Sequence, residues 1–146
     1  MSEFHLEVGD NVQFSKTVGE SDVYLFAGIT GDLSPNHVDE QFMRRTAYGK
    51  RIAHGALLVG YMSGASTRIL ERARKFQANE TPVSIGYDRV RFLRAVCIGD
   101  TITVNYSVAS VDLVRRRSMA RVVITNDSGQ EVAVAEHSMK WVANPD

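Results

Sequence analysis

The spacing of the apolar residues changes close to Pro82. In the predicted helices between residue 22 and this point they recur with a period of about 3.6, which is typical of helices that bury one face. After it they alternate, which is typical of strands with one buried face. Residues 11–18 also alternate and predict a short early strand. Ser21 as N-cap and Gly31 as stop signal then bound a predicted helix over residues 22–29.

A long helix is predicted over residues 54–75. Its second half is mostly charged, whereas its first half is apolar on every side, through Ala56, Leu57, Leu58, Val59, Tyr61 and Met62. A helix that is apolar all round must be buried, so we expect this one to run through the core and emerge at its C-terminal end. A shorter helical piece is expected over residues 40–46.

The second half of the chain predicts consecutive strands over residues 83–92, 101–111, 119–125 and 131–142. The last two form a hairpin about residues 126–129. Helices followed by strands predict an α+β fold in which an antiparallel sheet wraps around one long buried helix, the hot-dog architecture. Because no linker, repeat or low-complexity segment interrupts the chain, we expect residues 1–146 to form one domain.

Charge and composition narrow the classes of partner. Lysine and arginine total 17, as do aspartate and glutamate, so no net field attracts nucleic acid or an anionic membrane. No apolar run approaches the roughly 18 residues of a membrane span, and the N-terminus lacks the features of a signal peptide. The lone Cys97 cannot form an internal disulfide and lies in an apolar run, so it predicts a core residue in a cytoplasmic protein.

The segment GDLSPNHVDE, residues 31–40, is too polar for a core. It carries Asp32 five positions before His37, with Pro35 between them. We expect Pro35 to keep the segment out of a regular helix and to turn both side chains into one pocket. A carboxylate and an imidazole can hold one water from two sides, one accepting its proton and the other orienting it. Taken singly, Asp32 also fits a turn cap and His37 a surface histidine.

Metal sites are not expected. The start of the segment superficially resembles a calcium loop, but His37 stands at its sixth position and Met43 at its twelfth. The histidines have no spacing typical of zinc ligands, and one cysteine cannot help. His54 has a structural and a catalytic interpretation of equal weight.

Beyond these residues, the chain from 25 to 64 resembles the MaoC-like dehydratases, the (R)-specific enoyl-CoA hydratases. The matching positions are Phe26, Ala27, Gly31, Asp32, Pro35, His37, Asp39, Thr46, Tyr48, Gly49, Ile52, Ala53, His54 and Gly55. A weaker resemblance continues through Arg91-Phe92 and Gly99-Asp100 to the final strand.

The resemblance implies reversible hydration of a trans-2-enoyl thioester to an (R)-3-hydroxyacyl thioester, within fatty acid metabolism. It puts the catalytic pair at Asp32 and His37, the oxyanion donor at the N–H of Gly55, and a thioester-contacting serine at Ser63. Ser34 stands where many members have asparagine and can still hydrogen-bond. No metal or redox cofactor is expected, and coenzyme A enters only as part of the substrate.

The residues themselves support the role of Gly55 and add two further candidates, Arg89 and Arg91. Gly55 falls at the first turn of the long helix, where free N–H groups and the positive end of the dipole gather, and it has no Cβ to block a carbonyl oxygen. Arg89 and Arg91 share one face of a predicted strand, where they would pair with coenzyme A phosphates or an acidic acyl carrier protein. Residues 115–117, all arginine, predict a solvated hairpin tip.

Two alternatives share the architecture. One is an acyl-CoA thioesterase, which would use a differently placed acid. The other is a non-catalytic hot-dog subunit that binds acyl thioesters, which would not need both Asp32 and His37. In each case one helix in one sheet leaves a strand edge exposed, so a homodimer is expected. Acyl length, physiological direction, carrier and the identity of the formal base stay open.

Overall fold

The computed structural model describes residues 4–73 and 79–145. Its helices and strands in chain order are β1 (Asn11–Thr17), α1 (Glu20–Thr30), α2 (Pro35–Val38), α3 (Glu40–Met43), α4 (Gly55–Ala73), β2 (Glu80–Phe92), β3 (Thr101–Asp112), β4 (Arg117–Asn126) and β5 (Glu131–Ala143). No helix in this described part combines the length and hydropathy needed to cross a bilayer.

The strands form one antiparallel sheet in the order β1-β3-β4-β5-β2, so β1 and β2 are its edges. One face of the sheet is buried, as the alternation predicts: Ile102, Val104, Tyr106 and Val108 of β3 are all buried. This face packs against α4 and carries most of the core. The predicted α+β hot-dog architecture is therefore confirmed.

The long helix α4 buries one side and leaves the other open. Leu58, Met62, Ala65 and Ile69 are buried against the sheet. The opposite side, made of Ala56, Gly60, Ser63 and Thr67, is exposed in the single chain. The prediction of burial on every side is thus wrong for one chain alone, because one sheet covers only one side of a helix. The predicted helix end near residue 75 lies outside the described residues.

Helix α1 begins at Glu20, two residues earlier than predicted. Its N-cap is Gly19, whose N–H donates to the Asp22 carboxylate at 2.8 Å, so the prediction of Ser21 as N-cap is wrong. Its end is as predicted, since Gly31 adopts the left-handed region with φ 77° and donates its N–H to the carbonyl of Ala27. Pro35 does not exclude a helix but begins the short α2, because the first helical position needs no N–H donor.

The turn between β3 and β4 corrects a further prediction. The guanidinium of Arg116 donates to the Glu80 carboxylate and lies 4.8 Å over the ring of Phe4. His5 contacts the same carboxylate at 2.7 Å, and these partners lower the pKa of Glu80 to about 2. The prediction of a solvated tip is therefore wrong for Arg116, which fixes the N-terminal segment to the start of β2.

Candidate active site

Asp32 lies in the loop that joins α1 to α2. The left-handed Gly31 turns the chain out of α1, and the N–H of Asp32 then donates to the hydroxyl of Thr30 at 3.2 Å. The Asp32 carboxylate accepts from the N–H of Ser34 at 3.4 Å and is otherwise exposed. The carboxylate is therefore held in the loop with most of its acceptor capacity unused by the described residues.

His37 sits on α2 and is 9% exposed. Its Nδ1 lies 2.7 Å from the carbonyl oxygen of Ile52, which can only accept, so Nδ1 carries the proton. The N–H of Ile52 in turn donates to the carbonyl of Asn36 at 3.0 Å. In the neutral ring this leaves a lone pair on Nε2, which is the atom that can take a proton from water.

His54 completes the group, at the residue before α4. Its Nε2 donates to the backbone carbonyl of Asp32 at 2.9 Å, and its ring stacks on His37 with centroids 3.7 Å apart. Its Nδ1 is buried and has no hydrogen-bond partner among the described residues. The sequence left the role of His54 undecided, and only the alanine-histidine-glycine match indicated its importance.

One carboxylate oxygen of Asp32 and one ring nitrogen each of His37 and His54 lie within 4.8 Å of one another. The spacing of the residues in the sequence did not predict that His54 would lie beside Asp32. Among the described residues, the Asp32 carboxylate, Nε2 of His37 and Nδ1 of His54 keep acceptor capacity that the hydrogen bonds above do not use. Such a set can bind a water that donates two hydrogen bonds. Carboxylate oxygens and imidazole nitrogens are also the ligand atoms that divalent metals bind.

Gly55 begins α4 beside this group, and the ring of Phe92 packs directly on it. A Cβ built at Gly55 would lie 2.6 Å from Phe92 Cε2, so only glycine fits here without moving the ring. A cavity of about 230 Å³ opens at this point. Its lining residues include Tyr48, Ile52, Gly55, Leu58, Phe92 and Arg94. Asp32 and His37 lie outside that set, so in the single chain the cavity does not enclose the pair.

Two other predicted site residues, Ser34 and Ser63, lie at the start of α2 and on α4. Ser34 is the N-cap of α2, and its carbonyl accepts from the N–H of His37 at 2.9 Å. Ser63 lies on the exposed side of α4, two turns beyond Gly55.

Arg89 and Arg91 are not brought to the cavity at Gly55. With Arg121 they line a separate concavity of about 360 Å³, where Arg89 donates to Glu136 at 2.5 Å. Because neighbouring residues of a strand face opposite sides, Arg91 points away from the face on which Phe92 meets α4. Arg94 is the arginine that does line the cavity.

Arg51 was missed from the sequence, which offers no signal for it beyond its place before Ile52. Its guanidinium donates to Glu20 at the start of α1, to Glu40 at the start of α3, and to the hydroxyl of Tyr24. These bonds raise its pKa. Arg51 therefore ties together the two helices that flank the loop of Asp32 and His37.

Comparison with known proteins agrees with this geometry. The family model of the MaoC like domain matches residues 3–130. An (R)-specific enoyl-CoA hydratase of Rhodospirillum rubrum is 33% identical over 106 residues, which is 73% of this chain and 68% of the relative. A 3-hydroxybutyryl-CoA dehydratase of Methylorubrum extorquens is 36% identical over 129 residues, 88% of this chain and 76% of the relative.

Solved structures give the same result. The (R)-hydratase from A. caviae involved in PHA biosynthesis superimposes with a TM-score of 0.80 and 26% identity, covering 92% of this chain and 96% of that one. The match of the family model over most of the chain, the relatives above 30% identity and the shared fold lead to one conclusion: this chain belongs to the MaoC-like family.

Proposed function

We propose that this protein is a hydro-lyase that reversibly hydrates a trans-2-enoyl thioester to a (R)-3-hydroxyacyl thioester. The observation that carries the proposal is the cluster of one carboxylate and two imidazoles, within 4.8 Å of one another, beside the start of α4. Related proteins named enoyl-CoA hydratase and 3-hydroxybutyryl-CoA dehydratase support the same reaction. The (R) configuration rests on that similarity alone.

The cluster suits the activation of water. A water that donates one hydrogen bond to the Asp32 carboxylate and a second to Nε2 of His37 is held from two sides. As its oxygen bonds to C3 of the enoyl group, one O–H bond breaks and its proton passes to the cluster. The π electrons move toward the thioester oxygen, and C2 then takes a proton back from the cluster. Atoms and charge balance without any further reactant.

The N–H of Gly55 is suited to stabilise the enolate oxygen. The first N–H groups of a helix have no carbonyl of a preceding turn to bond, and the helix dipole is positive there. Losing one such donor typically costs about 10²–10³ in rate. Because the protein supplies acid, base and oxyanion donor, the reaction needs no resident metal or redox cofactor.

The substrate is proposed to be carried as a thioester of coenzyme A or of an acyl carrier protein. Arg94, at the cavity beside Gly55, is placed to meet the anionic end of such a carrier. Arg89 and Arg91 surround a concavity on the other face of the sheet, so their proposed contact with phosphates requires the carrier to pass round the sheet edge.

A homodimer is proposed to complete the site. The edge strand β2 has unpaired backbone groups and carries the exposed apolar side chains Val83, Ile85 and Phe92. The exposed side of α4 and the Asp32 carboxylate are also left uncovered by the described residues of the single chain. A second copy paired along β2 would bury the apolar edge and enclose the open side of the cluster.

The direct test mixes the purified protein with crotonyl-CoA. Loss of the absorbance of the conjugated enoyl thioester, without release of free thiol, is the expected result, and chiral analysis of the product should give the (R) isomer. Release of free coenzyme A would instead identify a thioesterase. No change in absorbance or thiol, with retained binding of the acyl thioester, would identify a non-catalytic subunit.

A further inference from the structure

Both histidines of the candidate active site have one ring nitrogen bonded to the backbone. Nδ1 of His37 donates to the carbonyl of Ile52 at 2.7 Å, and Nε2 of His54 donates to the carbonyl of Asp32 at 2.9 Å. Because a carbonyl oxygen can only accept, each of these nitrogens carries the proton of its neutral ring. The lone pairs therefore lie on Nε2 of His37 and on Nδ1 of His54.

This pattern is typical of histidines that bind a metal ion. Such histidines almost always donate the N–H of their second ring nitrogen to a carboxylate, a backbone carbonyl or a water, which fixes the tautomer and the direction of the ring. In this protein both rings already make that outer hydrogen bond. The fold therefore holds two imidazole lone pairs in the tautomer that a metal ion requires.

The free nitrogen of His54 is not used in the proposed hydration, which places the water on Asp32 and His37. The side chain of His54 is 1% exposed, and its Nδ1 is buried without a hydrogen-bond partner among the described residues. A buried polar atom of this kind is rare and points to a bound water or ion. The ring also stacks on His37 with an angle of 27° between the planes, so the two imidazoles approach one another closely.

The three side chains leave room for one ion. Zinc binds nitrogen and carboxylate oxygen at about 2.0–2.2 Å. Because the three ligand atoms lie within 4.8 Å of one another, one point is no farther than about 2.8 Å (4.8 Å divided by √3) from all of them. A shift of about 0.8 Å or less therefore brings each atom to bonding distance. The Asp32 side chain is exposed, so it is free to make this shift and leaves a path by which the ion enters.

The ligand types select the class of ion. Two imidazole nitrogens and one carboxylate oxygen suit zinc and other divalent transition metals, whereas Mg²⁺ and Ca²⁺ prefer oxygen ligands throughout. Three protein ligands leave a fourth position for water. Within residues 4–73 and 79–145 this is the one group of three such side chains close enough to share an ion. Spacing along the sequence did not indicate it, because residues 32 and 54 meet only in the fold.

We infer that Asp32, His37 and His54 form a binding site for a divalent transition metal, with Zn²⁺ as the representative ion, and that the bound ion inhibits hydration. The ion takes the lone pairs of the Asp32 carboxylate and of Nε2 of His37, which are the groups that hold the reacting water and accept its proton. No proton has to leave, because a carboxylate and two neutral imidazoles already carry free lone pairs. The ion site stands independently of the proposed function, whereas the inhibition rests on it. The ion is thus a reversible inhibitor and not a cofactor.

Binding is measured first, on the untagged chain after removal of metal with EDTA. Co²⁺ is the spectroscopic probe, and Zn²⁺ should displace it at a ratio of one ion per chain. Asp32→Asn, His37→Ala and His54→Ala should each weaken Zn²⁺ binding at least about tenfold, because the loss of an outer partner alone costs about 10–100-fold. Asp127→Asn, which removes a carboxylate from an exposed turn, is the matched control and should bind as the wild type does. Absence of saturable binding, or binding that all three site variants retain, would overturn the inference.

The wild-type protein gives a second readout that does not depend on the folding of any variant. Nitrogen chemical shifts of the metal-free protein should show the proton on Nδ1 of His37 and on Nε2 of His54. Zn²⁺ should then shift Nε2 of His37 and Nδ1 of His54 and leave the ring of the buried His137 unchanged. The ion should also raise Tm, because it binds the folded state. Shifts confined to other histidines would refute the site.

Inhibition is measured with crotonyl-CoA. The wild-type rate should fall as Zn²⁺ fills the site, with half-inhibition at low substrate matching the dissociation constant found by binding, and EDTA should restore the rate. Mg²⁺ at the same concentration should leave the rate unchanged. An unchanged or higher rate with the site filled would overturn the inhibition. Ion binding at the three residues of a protein that never hydrates crotonyl-CoA would support the ion site and reject the proposed function, whereas an active hydratase that binds no ion would do the reverse.

Discussion

Acid should destabilise the fold through His137. The imidazole of an unfolded chain titrates near 6.5, whereas burial lowers the pKa of native His137 to about 4. Between these two values the unfolded state binds a proton that the native state does not. The contribution of the neutral His137 to the free energy of unfolding is therefore complete above pH 6.5 and is lost as the pH falls toward 4. A pKa difference of this size corresponds to about 3 kcal/mol.

The assay is urea unfolding at one protein concentration, at several values between pH 7 and pH 4. The hydroxyls of Ser84 and Tyr106 each lie 2.7 Å from a ring nitrogen of His137. His137→Gln is the comparison, because a glutamine amide offers one donor and one acceptor group but does not titrate. The free energy of unfolding of the wild type should fall relative to the variant by about 3 kcal/mol across this range. A constant difference between the two proteins, or a native His137 resonance that titrates near pH 6.5, would refute the reasoning.

Three further predictions concern other parts of the molecule. Gly55→Ala should lower kcat/KM for crotonyl-CoA by at least about tenfold, because the new Cβ displaces Phe92 from the start of α4; unchanged kinetics would contradict it. Glu80→Gln should lower the free energy of unfolding by about 1–2 kcal/mol at pH 7, after allowance for solvent screening. That difference should disappear as the pH falls from about 4.5 to about 2, where wild-type Glu80 also becomes protonated. Dialysis against EDTA should leave the hydration rate unchanged, whereas a loss restored by one divalent metal would assign that metal to Asp32, His37 and His54.

Local patterns predicted the strands closely. β3 was expected over residues 101–111 and spans Thr101–Asp112, because its alternation comes from the burial of one face. The hairpin turn between β4 and β5 was also predicted. It is held by local contacts, because the side-chain oxygen of Asn126 accepts from the N–H groups of Ser128 and Gln130 within the turn. Such features depend on residues that are neighbours in sequence.

Contacts between distant segments were not predictable. Arg116 was assigned to solvent because its sequence neighbours are arginines, but its partner Glu80 lies 36 residues away. His54 meets Asp32 and His37 only because α4 starts where the loop after α1 ends. The apolar pattern of α4 did not predict that one side of this helix would be exposed in the single chain. Which sides of a helix are buried depends on the elements that pack against it, and these are distant in sequence.

The central claim is tested most directly by steady-state hydration of crotonyl-CoA with Asp32→Asn and His37→Ala, after confirming that both variants fold as the wild type does. Asp127→Asn, in the exposed turn between β4 and β5, is the matched control and should keep the wild-type rate. Each substitution in the pair should lower kcat by about 10²–10⁴, the range of a lost general acid or base. Wild-type rates in both variants would contradict the assignment of the pair.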